Sequence, residues 1–299
     1  MKTKLFILLL ISINLFAQSA GETGLAFLKN GFGARNIAMG DFGVVGNNDL
    51  SALYYNPSLL AVDNKTQITF THNSLFQDEN SEMFGASFNA FGLPFAVGVN
   101  TTTVSGIEVR TMPGDPQAIF SAHDFAGSIS TAYKFSDNIY AGASYKYLYE
   151  GIYTDENNGY ALDFGLTYTQ MINGLTIGAS YRNLGSMNIL KNDPTVLPAD
   201  LMVGASYNYP LPDSKMDFTV LTGYQNYTKE NESHIHIGGE FVYDHTFSLR
   251  AGYITNYETK SLSAGFGVFW KGINLDYAYV PNKYELGDSH IITMIYSFN

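Results

Sequence analysis

The sequence predicts an all-β protein, a transmembrane antiparallel β-barrel of about fourteen strands whose lumen holds an N-terminal hatch segment. Three observations carry that prediction. Apolar and polar residues alternate with period two in segments of roughly ten residues, and no run reaches the ~18 apolar residues of a membrane helix. Connections between the segments alternate between short turns and longer polar loops. The composition does not suit a water-facing surface: 14% of residues are charged and 15% aromatic, with 22 Tyr and 21 Phe against one Trp, where soluble domains carry about a quarter charged residues.

Net charge and cysteine content exclude several functions. At −11 with no basic patch, the chain is not expected to bind nucleic acid. It has no cysteine, hence no disulfide framework, thiolate zinc site or cysteine nucleophile.

In chain order, residues 1–20 come first, with Lys2 and Lys4, an apolar run from Leu5 to Phe16 and small residues at Ala17 and Ala20. They are expected to be a secretory signal peptide. Residues 21–65 are expected to form the hatch. The stretch Gly33 to Val62 lacks sustained alternation, and Gly33, Gly40, Gly43 and Gly46 disfavour a lone strand or long helix. Within it, "DLSALYYNP" suits one short helix capped by Asp49 and stopped before Pro57. A barrel of about fourteen strands has a lumen that wall side chains alone do not fill, so a compact, small-residue segment ahead of the first strand is placed there.

Residues 66–299 are expected to be the barrel. Alternation and turn residues start its strands near Gln67, Glu82, Phe95, His123, Asn138, Asn158, Gly174, Ala199, Met216, Ser233, Phe247, Lys260, Gly272 and Asp288. In "GYALDFGLTYTQ", Tyr160, Leu162, Phe164, Leu166 and Tyr168 share one face, with Asp163 and small residues on the other. Short turns at 91–94, 136–138, 173–174, 210–215, 244–246 and 271–272 are assigned to the periplasmic side together with both termini. Long loops, the largest at 105–122 and 185–198, are assigned to the outside. Tyr145, Tyr147, Tyr149, Tyr243, Phe247 and Trp270 near strand ends suit interfacial girdles. The last strand alternates Ile292, Met294, Tyr296 and Phe298 on one face.

Hairpin register tests the inside-outside assignment. A two-residue turn at Asn173-Gly174 sets Tyr168 opposite Ala179 and brings Asp163 and Arg182 inward as diagonal neighbours. A three-residue loop at 244–246 sets Glu240 opposite Arg250, also inside. Such pairs contribute at most about 1 kcal/mol, whereas a cation on the lipid face at mid-depth costs roughly 2–4 kcal/mol. Burial therefore fixes the face.

His234, His236 and Glu240 share a face, but Ser233 points the other way, and no nucleophile, base and orienting group assemble. Two histidines at i and i+2 lack a third metal ligand. No catalytic residue, metal or cofactor is expected. Pro94 and Gly98 in the third strand are either plain strand punctuation or a weak point permitting a lateral opening. Met112, Ile119 and Phe120 in the long third loop are candidate lining of an apolar pocket.

The stretch "FLKNGFGARNIAMGDFGVVGNNDLSALYYNPSLLAV" resembles the N-terminal signature of the PorV/PorQ family of outer-membrane proteins, which are similar to FadL-type transporters. The matching residues are Phe27-Leu28, Gly33-Ala34-Arg35, Ala38-Met39-Gly40, Asp49 before Ser51-Ala52, and Asn56-Pro57; Ser58-Leu59 stands where the family often has alanine then glycine. The resemblance implies a FadL-like barrel in the bacterial outer membrane of Bacteroidetes. It also implies an accessory role in type IX secretion or surface attachment, with secretion components or cargo proteins as partners. The alternative it implies is a conduit for hydrophobic small molecules such as long-chain fatty acids. For the motif it implies that Asn56-Pro57 fixes the turn into the first strand, and that Arg35 either pairs with a lumenal carboxylate, Asp163 or Glu240, or faces periplasmic solvent.

Overall fold

A computed structural model describes residues 22–46, 49–76, 79–189, 194–230 and 232–298; the expected signal peptide lies outside them. Fourteen strands close into one antiparallel barrel in which each strand pairs with its sequence neighbours and the first pairs with the last. They are β1 (Gln67–Ser74), β2 (Glu79–Ala90), β3 (Leu93–Val109), β4 (Ala118–Lys134), β5 (Ile139–Ile152), β6 (Asp155–Thr169), β7 (Leu175–Met187), β8 (Asp200–Leu211), β9 (Met216–Tyr227), β10 (Glu232–Tyr243), β11 (Phe247–Ile254), β12 (Leu262–Trp270), β13 (Ile273–Val280) and β14 (Ser289–Ser297). Closure satisfies every strand edge, the condition a sheet must meet inside a bilayer.

The wall is inverted relative to a soluble protein. Outward positions hold large exposed apolar side chains, among them Phe70, Phe84, Val97, Phe164, Leu166 and Leu275, while Lys146, Asp163, Arg182, Asp200, Glu240, Arg250 and Asp276 are buried inside. A continuous exposed apolar belt of this kind belongs in lipid.

The short-turn end is built by local chemistry. Phe91-Gly92 and Lys271-Gly272 both have positive φ and make two-residue turns of the hairpin type, and residues 244–246 form the expected three-residue loop below Tyr243↔Phe247. Three expectations fail. The β6–β7 connection runs over 170–174, because Leu175 N bonds Ile172 O and Thr169 pairs with Thr176; Tyr168 therefore lies opposite Ile177. The alternation of loop length is not strict, since β5 and β6 are joined through Tyr153 and Thr154 alone. The termini are also split. Residues 22–30 sit among the long loops, where Gly24 N bonds Val196 O, while Phe298 N bonds Thr66 O at the short-turn end.

The N-terminal segment runs down the lumen between those two ends. Its described residues include three short α-helices, α1 (Ala34–Ala38), α2 (Ala52–Tyr55) and α3 (Leu60–Asp63), and 3-10 turns at Ala26–Lys29 and Pro57–Leu59, where one short helix was expected. Its apolar side chains Phe32, Met39, Phe42, Val44, Leu53 and Tyr55 form the main core of the molecule. Asp49 does not cap α2 directly. Ser51 holds the N-cap position, and the Asp49 carboxylate accepts from Ser51 N at 2.8 Å.

Candidate functional site: the hatch and its vestibules

The wall opposite the segment is cast around it by glycine. Inward positions hold paired glycines at Gly142↔Gly165, Gly204↔Gly223 and Gly238↔Gly252. A Cβ at Gly142 would meet the backbone of Pro57 and Ser58 at 2.5 Å; one at Gly165 would strike the Asn56 side chain, one at Gly223 the Phe42 ring, and one at Gly252 the backbone at Met39 and Gly40. Close approach of two backbones is what glycine permits inside a strand. The motif glycines answer a different need: Gly33 (φ 84°) precedes α1 and Gly40 (φ 85°) follows it, both in the left-handed region.

Lumenal charges pair almost completely. Arg35 on α1 grips Glu240 through both nitrogens, Nε at 2.9 Å and Nη2 at 2.6 Å, and donates to Gly46 O at 2.7 Å. Glu240 also accepts from Arg250 at 2.7 Å, and Arg250 reaches Asp276 at 2.5 Å. Two cations and two carboxylates thus form one ladder tying the hatch to β10, β11 and β13. Of the alternatives for Arg35, the structure takes the lumenal carboxylate, and that carboxylate is Glu240. Burial opposes the guanidinium charge, but Glu240 keeps the Arg35 pKa above its ordinary value.

Asp163 and Arg182 both face inward without meeting as a pair. Asp163 sits at a register shift between Leu162 and Phe164, accepts from Asn183 N at 2.8 Å and pairs with Lys146 at 2.6 Å. The bulge opposite it is made by Asn183, at φ 57°. Arg182 lies opposite Asp200 on β8 and binds it bidentately at 3.0 and 2.6 Å. It also donates to Tyr54 O at 3.2 Å and lies 4.6 Å from the Tyr54 ring centre. Asp200 in turn accepts from Gln225 at 2.6 Å, and His236 links Gln225 at 3.2 Å to Gly40 O at 2.7 Å. Sequence reasoning missed Asp200, Gln225, Lys146 and Asp276; each is a polar residue at an inward position of its strand, the signal that would have found them. His234 bonds Thr255 O at 2.9 Å, and His245 lies exposed in the β10–β11 turn.

Asn56-Pro57 acts in the lumen and not at the entry to β1. Asn56 is fully buried; its amide donates to Val44 O at 2.9 Å and Thr167 Oγ1 at 3.1 Å and accepts from Ser58 N at 3.1 Å. The turn into β1 is made beyond α3 by Asn64, at φ 42°.

At the long-loop end a clasp closes over the hatch. Asp41 accepts from Lys260 Nζ at 2.9 Å and from Tyr55 OH at 2.7 Å. Burial works against its charge, yet Lys260 and Tyr55 hold the Asp41 carboxyl below its ordinary range, and Asp41 raises Lys260 above its own against the same burial. The carboxylate contribution is present above the unfolded-state pKa and is lost as pH falls through the lowered folded value. The ammonium contribution is present below the unfolded-state pKa and is lost as pH rises through the raised one. The stability difference between the parent and Lys260→Met, read by urea unfolding in detergent, is therefore expected to be flat from about pH 5 to 9 and to shrink below about pH 4 and above about pH 10.

Of the cavities against the hatch, two are large. The outer one, about 240 Å³, is walled by Ile37, Phe76, Val280 and Ile291 with Asp41, Lys260 and Tyr257 at its polar side. The inner one, about 230 Å³, lies at the short-turn end between Asp49, Lys65, His245 and Arg250. Met112, Ile119 and Phe120 line neither. The long third loop shrinks to 110–117 because Ile107↔Phe120 and Val109↔Ala118 continue the β3–β4 ladder, which leaves Met112 and Ile119 exposed on a projecting ribbon and Phe120 against Tyr153, ring centres 5.2 Å apart. Pro94 and Gly98 open no gap either. Asn89↔Pro94 and Gly85↔Gly98 pair with β2, and Gly98↔Ser128 pairs with β4. Gly98 instead receives Leu53 of the hatch, whose Cδ1 would lie 3.0 Å from a Cβ there. Punctuation is the reading the ladder supports.

No protein-family profile matches the chain, and no curated protein matches it significantly. Solved structures do. The Pseudomonas putida toluene transporter TodX is similar over 89% of this chain and 97% of its own, at 13% identity and a TM-score of 0.63. The monoaromatic hydrocarbon channel CymD is similar over 90% and 98%, at 15% identity and 0.63. A Pseudomonas aeruginosa FadL homologue is similar over 89% and 97%, at 12% identity and 0.54. The fourteen-stranded barrel with its lumen filled by the N-terminal segment thus has the fold of the FadL-type outer-membrane barrels.

Proposed function

We propose that the protein is an outer-membrane conduit for small hydrophobic molecules, loaded at the outer cavity above the hatch. That cavity carries the reading: Ile37 of the hatch, Phe76, Val280 of β13 and Ile291 of β14 give it a mainly apolar surface, and Lys29, Asp41, Glu79 and Lys260 are among the polar groups around it that can orient a ligand. Its ~240 Å³ exceeds the ~150 Å³ that accommodates benzene in an apolar cavity and falls short of the ~300 Å³ where drug-sized sites begin, so a one- or two-ring molecule fits better than an extended acyl chain. The fold likeness to a toluene transporter and a hydrocarbon channel supports the reading by analogy.

Naphthalene binding to the purified barrel tests it by fluorescence titration. Saturable binding is expected for the parent, with at least a tenfold loss of affinity in Ile291→Trp, which fills the cavity from its wall; this is about 1.4 kcal/mol, a modest share of an apolar ligand's burial. Absence of saturable binding, or equal binding by both proteins, overturns the reading.

The accessory role in type IX secretion is a second proposal, resting on the N-terminal motif. Gly33, Ala34, Met39, Gly40, Asn56 and Pro57 are all buried against the barrel wall, so the motif is accounted for by hatch packing. Mild-detergent purification from the native membrane separates the two proposals. Stoichiometric secretion components or cargo support the accessory role; a lone barrel carrying an apolar molecule supports the conduit.

A further inference from the structure

The hatch is sealed unevenly. From β5 to β12 the wall glycines bring it into close contact, whereas along β14, β1 and β2 most inward positions are short and polar, interrupted by Ile291, Ile295 and Met83. The inward side of β1 reads Gln67, Thr69, Thr71 and Asn73, all buried, beside Thr293 on β14. The outer and inner cavities both reach this sector: Ile291 of β14 lines the first, and Ile295 and Ser297 line the second. Between them lies a small cavity of about 10 Å³ bounded by the hydroxyl residues Ser51, Thr69, Thr71 and Thr293, with Asp49, Met83 and Ile295 also in its wall. That volume holds about one water, and the site offers the two to four polar partners a buried water needs.

One further group points the same way. Asn73 is fully buried and donates to Gly31 O at 3.2 Å, yet its Oδ1 has no hydrogen-bond partner among the described residues. Leaving a buried amide oxygen unsatisfied costs about 1–3 kcal/mol, a cost that a water bound there would remove. Thr71 and Thr293 lie 2.9 Å apart, and Ala34 N donates to Thr293 at 2.9 Å. Hydroxyls, which both donate and accept, therefore line the narrowest part.

We infer that the seam between the hatch and β14–β1 carries water and small uncharged hydrogen-bonding solutes past the hatch, separately from any apolar cargo. An apolar molecule entering it would strip these hydroxyls of partners without replacing them, and an ion would lose its hydration in a gap one water wide. Urea is the test solute, being little larger than water and able to replace each bond that it displaces.

The measurement is stopped-flow light scattering of proteoliposomes holding the full chain, first under a sucrose gradient for water and then under a urea gradient. Water and urea permeability above that of protein-free vesicles is expected. Thr71→Val with Thr293→Val, which keeps shape and removes both hydroxyls, is expected to lower it about threefold or more. Ser180→Val on β7, across the barrel, leaves it unchanged. Permeability at the protein-free level, an unaffected valine pair, or an equal loss in Ser180→Val overturns the inference. Should the valine pair fail to fold, judged by heat-modifiable gel mobility, Thr69→Cys decides. The chain has no other thiol, so the same folded preparation is compared before and after modification by a methanethiosulfonate; a flux unchanged by modification overturns the seam. No apolar ligand enters this assay, so its failure and that of naphthalene binding are independent.

Discussion

Arg182→Met is expected to destabilise the barrel by about 3–5 kcal/mol, the range for removing one partner of a buried ion pair. Arg182 and Asp200 are both essentially inaccessible to solvent. Without the guanidinium, the Asp200 carboxylate is left with the neutral Gln225 amide at 2.6 Å and no countercharge from Arg182, and Tyr54 O loses a donor. Urea unfolding in detergent reads the loss. Adding Asp200→Leu is expected to recover most of it, because replacing a buried pair by apolar side chains is commonly near neutral. A double variant as unstable as Arg182→Met would show that the cost lies in lost packing on Tyr54 and not in the stranded charge. The Arg182 to Tyr54 contacts also couple this wall pair to the hatch, so limited proteolysis of the single variant is expected to release hatch residues before the barrel unfolds.

Gly223→Leu is expected to unseat the hatch and leave the barrel closed. Its Cβ would lie within the space of the Phe42 ring, and the paired Gly204 offers no room for the ring to move into, since a Cβ there would lie 2.5 Å from the same ring. Overpacking a filled core costs about 1–3 kcal/mol, and here the hatch, held by side-chain contacts, yields before a wall held by ladder hydrogen bonds. Planar-bilayer recording should pass from closed to conducting, while heat-modifiable gel mobility stays that of a folded barrel. Phe42→Ala in the same chain vacates the ring's volume and should restore closure. A Gly223→Leu barrel that remains closed would mean that the glycine belt is not what seats the hatch.

Much of the fold could be read from local pattern. Each of the fourteen strand starts lies within a few residues of its expected place, because period-two alternation is imposed residue by residue by a wall with lipid on one side and the lumen on the other. The 244–246 loop fixed Glu240 opposite Arg250 for the same reason: a short hairpin loop sets register by itself. Where the loop was misjudged, register went with it. The five-residue connection at 170–174 and the bulge at Asp163 leave Asp163 across from Arg182 and Asn183, but Arg182 takes Asp200, which the separate β7–β8 ladder places directly opposite it. Likewise, "SGIEVRTMPGDPQAIFSA" looked like a loop because its polar residues carry no turn-free alternation, yet pairing to β4 extends β3 through it.

The sequence by itself determined the barrel, its strand count, the face each strand turns to lipid and the existence of a lumenal segment, since all of these follow from local periodicity and from what a bilayer excludes. Only the tertiary structure decided how the segment is seated: that Arg35 takes Glu240, that wall glycines receive Phe42 and Asn56, that Asp41 is clasped by Lys260, and that cavities lie on either side. Those contacts join residues some 110 to 220 positions apart. Alternation tells each inward residue that it faces the lumen but carries no information about which other inward residue, or which part of the hatch, will stand across from it there.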